Sequence, residues 1–140
     1  MTLTELHDGP YLRILWDEES RIIGIEWKET TATMTSEEFK TDLMLFAAHV
    51  EIKKARAILF DVTKFGHRIE PEVQQWRLKN ISARYSAAGV KRFAFLFPPG
   101  SQIPPMMNQS SLEEAFQTRA FDNALEAKDW LTGVGESASG

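Results

Sequence analysis

Two uninterrupted apolar runs constrain this chain most. They are Ala57-Ile58-Leu59-Phe60 and Phe93-Ala94-Phe95-Leu96-Phe97. A strand with one wet face alternates apolar and polar residues. A run without alternation is expected where both faces are covered, as in a parallel α/β sheet. The segment between the runs carries Pro71 where a helix would start and Gly89 where it would stop. Proline suits the first helical turn because its missing N–H is not needed there, and glycine suits the left-handed stop. Strand, helix, strand at this spacing predicts a βαβ unit with a right-handed crossover.

The flanking segments extend this unit. Leu12, Ile14 and Trp16 alternate with Arg13 and Asp17 over Tyr11–Asp17, and Ile23, Ile25 and Trp27 alternate over Arg21–Glu29. With the polar turn Asp17-Glu18-Glu19-Ser20 between them, these predict a β-hairpin. Thr35 and Glu38 have capping-box spacing, and Met34 and Phe39 stand where a hydrophobic staple would. Phe39, Leu43, Phe46, Ala47 and Val50 then form one helical stripe, ending near Lys53 or Lys54. Pro98–Ser111 reads as a loop, with a short helix at Leu112–Ala115 and a last strand at Phe116–Phe121. Asn123 and Glu126 have the spacing of a second capping box, before a helix lined by Ala124, Ala127 and Leu131 and stopped by Gly133. The expected fold is α/β: a mixed four- to five-stranded sheet with an N-terminal β-hairpin and flanking helices. One domain should cover residues 1–133, and the small polar residues 134–140 are expected to lack order.

Composition narrows the chemistry. The chain has 140 residues, enough for one core, and no cysteine. Disulfides, thiolate nucleophiles and cysteine zinc sites drop out. His7, His49 and His67 stand apart, so no metal and no cofactor is expected. The net charge of −4 argues against nucleic acid as a partner. No basic start leads into an apolar run, and no segment reaches bilayer length, so a cytoplasmic location without a transmembrane segment is expected.

Several stretches carry a family resemblance. They are Gly24-Ile25-Glu26-Trp27-Lys28, Met34-Thr35-Ser36-Glu37-Glu38-Phe39, Ala57-Ile58-Leu59-Phe60-Asp61, Ala88-Gly89-Val90-Lys91-Arg92-Phe93-Ala94-Phe95 and Phe116-Gln117-Thr118-Arg119-Ala120-Phe121. With the element order, they resemble the SpoIIAA-like group of small bacterial STAS-like proteins, over residues 11 to 132. The resemblance implies a STAS- or CRAL-TRIO-type sheet and a binding or regulatory role. Regulatory STAS domains carry a phosphorylated Ser at the helix start after the central strand. Asp61 matches the acid at the strand end, but Ile69, Glu70 and Pro71 stand where the Ser would be. Thr63 is the sole hydroxyl of that segment and is misplaced, so the phospho-switch does not carry over.

Ligands of open α/β sheets bind beyond the carboxyl ends of the strands. That rule selects Asp61, Thr63, His67 and Arg68, with Ser101 and Gln102 facing them. The plainer reading is a solvated loop in which Asp61 caps a turn. Asp61, His67 and Ser101 also have the residue types of a hydrolase triad, without its nucleophile elbow. Val73–Leu112 contains no acid, and Arg77 and Arg84 would share a helix face with Asn80 as an anion or partner surface. On a 3.6-residue period, Leu78, Ile81, Tyr85 and Ala88 form one stripe of that helix, with Trp76, Ala83 and Ala87 opposite. The second stripe points to a homodimer or protein-partner contact. Met106 and Met107 offer another adaptable surface.

The leading expectation is therefore a non-enzymatic STAS-like binding module acting through a protein partner or homodimer. A small-molecule or lipid carrier of CRAL-TRIO type, with 98–111 as its lid, is the alternative. A hydrolase is the remote one.

Overall fold

The computed structural model describes residues 3–101 and 116–133. A six-stranded sheet runs β1(Thr4–Asp8), β2(Leu12–Asp17), β3(Ile22–Trp27), β4(Ala57–Asp61), β5(Arg92–Leu96) and β6(Gln117–Phe121), in that spatial order. β1–β2 and β2–β3 pair antiparallel; β3–β4, β4–β5 and β5–β6 pair parallel. The two apolar runs are thus adjacent parallel strands, and the hairpin joins them through β3. The sheet has six strands rather than four or five. The addition is β1, an edge strand of sequence Thr-Glu-Leu-His-Asp that is exposed or half-buried throughout. One apolar residue in five leaves no alternation to read. Its pairing with β2 decides its conformation.

Helix α1(Ser36–Lys53) lies on one face of the sheet. Thr35 Oγ1 accepts from Glu38 N, and Glu38 Oε1 accepts from Thr35 N, so the capping box is complete. Lys54 leaves the helix in the left-handed conformation. Phe39, Leu43, Phe46, Ala47 and Val50 are buried, as the stripe predicts. The next helix is α2(Pro71–Trp76), a π turn (Arg77–Ile81) and α3(Ser82–Ala88), continuous in backbone.

The π turn corrects the expected stripe. Val73, Ile81 and Tyr85 are buried together, while Leu78 is only half-buried. In a plain α-helix, residues 73 and 85 would stand about 120° apart, but one extra residue in a π turn realigns them. Trp76 therefore packs partly against the main core instead of heading an opposite stripe.

That core is aromatic. Trp27, Phe39, Phe46, Phe60, Tyr85 and Phe93 meet between the sheet and α1 and α3, with ring centroids about 5 to 6 Å apart in pairs such as Trp27–Phe39 at 5.5 Å and Phe60–Phe93 at 5.3 Å. The opposite face is narrower. Ile22, Ala57, Ala94, Leu96 and Phe121 receive α4(Ala124–Thr132) through Ala127 and Leu131. Asn123 Oδ1 accepts from Glu126 N, and Gly133 is left-handed. Ala124, expected on the inner stripe, is the first residue of the helix and is exposed. The expected helix at 112–115, the Met106–Met107 surface and the 134–140 tail lie outside the described residues.

Candidate functional site

At the carboxyl edge of the parallel strands, the side chains are largely taken up by turns. Asp61 ends β4, and its Oδ1 accepts from Thr63 N at 2.9 Å and from Thr63 Oγ1 at 2.7 Å. This is the turn-capping role of an aspartate. Ser101 Oγ donates to Pro98 O at 2.6 Å. Arg68 is exposed, and Gln102 lies outside the described residues.

The loop after Asp61 is anchored at its middle. Thr31, fully buried, donates its hydroxyl to Lys28 O at 2.7 Å and accepts Gly66 N at 2.8 Å. Phe65 then enters the aromatic cluster, 5.3 Å from Trp27 and 5.7 Å from Phe39. His67 follows, 5.2 Å from Phe39 and 6.1 Å from Phe65. Its Nε2 is buried without a hydrogen-bond partner among the described residues, as is Trp27 Nε1.

Strand parity separates the triad types. Asp61 shares a face with Ala57 and Leu59, the α4 side. His67 rests on Phe39 of α1, on the other side. Asp61 holds Thr63 and Ser101 holds Pro98, so the structure does not assemble Asp61, His67 and Ser101 as orienter, base and nucleophile. Of the expected group, Asp61, Thr63 and Ser101 are held in local turns and His67 packs on Phe39 of α1.

The surface of the second helix is also partly committed. Arg84 makes a forked pair with Glu51 of α1, at 2.6 and 3.0 Å. Arg84 holds the Glu51 carboxyl below its ordinary range. Arg77 Nε donates to Gln74 Oε1 at 3.2 Å, and Asn80 Nδ2 to Trp76 O at 3.0 Å. Lys40 Nζ stands 5.4 Å from the centre of the Trp76 ring. Trp76 thereby joins the second helix to α1.

Two features escaped the sequence reading. At the β1 edge, the His7 and His49 rings lie 6.5 Å apart, and Tyr11 OH donates to Glu38 Oε2 at 2.8 Å. Burial pushes the Asp42 carboxyl up and the His49 imidazole down, with nearby His7 opposing the first shift and adding to the second. The other is on α1 itself. Its outward face carries Met44, Ala48 and Ile52 at intervals of four; Met44 is 43% exposed and Ile52 74%. The signal was in the sequence, but the stronger inner stripe masked it.

Among the described residues, no three His, Asp or Glu side chains are grouped as metal ligands. No described helix is long and apolar enough to cross a membrane. Comparison with known proteins returns no match. No family model, no curated protein and no solved structure is similar to this chain.

Proposed function

We propose that this protein is a non-catalytic binding module of STAS-like type that acts through protein–protein contact, with a second copy of itself across α1. One observation carries the reading: exposed Met44 and Ile52, with half-buried Ala48 between them, in a line on the outward face of α1. A helix apolar on two sides has one face in the core and offers the other to a partner. The line spans about 12 Å at 1.5 Å per residue. It is large, small, large about Ala48. A two-fold antiparallel pairing sets Met44 against Ile52 of the second copy and lets the helices approach closely at the two alanines, so the face complements itself. One helix pair buries less than a stable obligate interface does, so the association is weak and reversible. The order of elements from β2 to α4 supports the STAS-like part of the reading.

Native mass spectrometry and light scattering over a dilution series test it. A concentration-dependent dimer is expected, and Ile52→Glu should leave a monomer with an unchanged melting temperature. A chain that stays monomeric at millimolar concentration, or a dimer indifferent to Ile52→Glu, overturns the proposal.

A further inference from the structure

The opposite edge of the sheet, where the parallel strands begin, has a charge pattern of its own. β3, β4 and β5 are each entered through a basic residue: Arg21 before Ile22, Arg56 before Ala57, Lys91 before Arg92. The three are side by side. Arg56 N donates to Arg21 O at 2.9 Å, and Lys91 N donates to Arg56 O at 2.8 Å. Neighbouring strands are about 4.8 Å apart, so like charges here repel one another.

Two cations of this edge have structural work. Arg21, left-handed at φ 58°, donates to the Lys54 carbonyl at 3.0 Å and so caps the end of α1. Arg92 Nη1 donates to the Trp130 carbonyl, and its guanidinium lies 5.2 Å from the Trp130 ring centre, at the end of α4. Arg56 and Lys91 are exposed and form no ion pair among the described residues. Together with Arg92 they line a depression of about 470 Å³ between the β2–β3 turn and Gly133. Among the described residues, Glu19, on the turn, is the one carboxylate of its lining.

We infer that this depression binds a small phosphorylated molecule, with Arg56 and Lys91 on its phosphate oxygens and Arg92 adding a fixed positive charge. The guanidinium of Arg56 offers a planar fork that matches phosphate, and Lys91 adds a second cation beside it. Arg92 is already oriented by α4, so its placement costs little on binding. The depression has the size of a small-molecule site. A concave pocket favours a compact anion over an acidic protein surface or a membrane. In a chain of net charge −4, two adjacent cations without an ion pair among the described residues are a departure that an anion would relieve.

Amide chemical-shift titration of the full chain in 150 mM salt tests this, with inorganic phosphate, pyrophosphate, adenosine monophosphate and adenosine as probes. Saturable shifts at Arg56, Lys91, Arg92 and Gly133 are expected with the phosphate-bearing probes and none with adenosine. Equal affinity for phosphate and adenosine monophosphate would assign recognition to the phosphate itself, and tighter nucleotide binding to the pocket around it; both support the site. The double variant Arg56→Gln/Lys91→Gln should weaken binding by about tenfold or more at an unchanged melting temperature. Shifts that do not saturate, that spread to Lys28 and Lys64, or that persist in the double variant overturn the inference. So does binding to phosphatidylserine vesicles through Arg56 and Lys91 without any response to the soluble phosphates.

Discussion

Gly66 shows how one residue can position a loop. A Cβ added there would stand 3.1 Å from Ala32 Cβ and 3.3 Å from Ala32 Cα. Backbone cannot yield as a flexible side chain does, so Gly66→Ala should cost about 1–3 kcal/mol in urea denaturation, as overpacking generally does. Thr31 and Gly66 meet across 35 positions of sequence, and nothing local to either announces the other. Asp61 was legible in the opposite sense: an aspartate two residues before a threonine is a turn on local grounds, and it forms one. His49 carries a pH prediction. Burial lowers its pKa below the ordinary value of 6.5, and His7 and Lys53 add to that. The unfolded chain then takes up the proton first, so stability present above pH 6.5 is lost as pH falls below that value toward the lowered pKa of the folded state. Urea melts at pH 7.5 and 5.5 should show this loss, and His49→Gln should reduce it.

At the scale of elements, local chemistry was most informative where it is most local. The Thr35–Glu38 box, Pro71 and Gly89 all do what their positions predict, because caps satisfy orphan amides and carbonyls within one turn. The interior of the second helix was not legible in the same way. A regular 3.6-residue period cannot align Val73, Ile81 and Tyr85, and only the aromatic core waiting beneath them makes a π turn worthwhile. Deletion of exposed Lys79 should turn the π turn into α-helix and keep those three residues facing inward. We expect circular dichroism to show retained helix and a cooperative melt. Deletion of Ile81, which removes a buried side chain, should abolish that cooperativity.

For the whole molecule, the two sides of the sheet are unequal. Phenylalanines and Trp27 fill the space beneath α1 and α3, whereas Ala57 and Ala94 let α4 come close on the other side. Ala94→Leu should therefore push α4 away and cost about 1–3 kcal/mol, read as a lower melting temperature and a loss of Phe121–Trp130 contact in aromatic NMR shifts. Those rings are 5.6 Å apart in the native fold. The α/β class, the hairpin, the parallel pair and the helix ends followed from the sequence, since periodicity and capping act over a few residues. Tertiary structure alone decided the rest. It recruited β1 by pairing, wound the π turn to meet a core, and set Asp61 and His67 on opposite faces of the sheet. It also brought Arg56 and Lys91, far apart in the chain, onto one rim. Each of these depends on which segments become neighbours, and that is settled by the burial of the whole core rather than by any short stretch of residues.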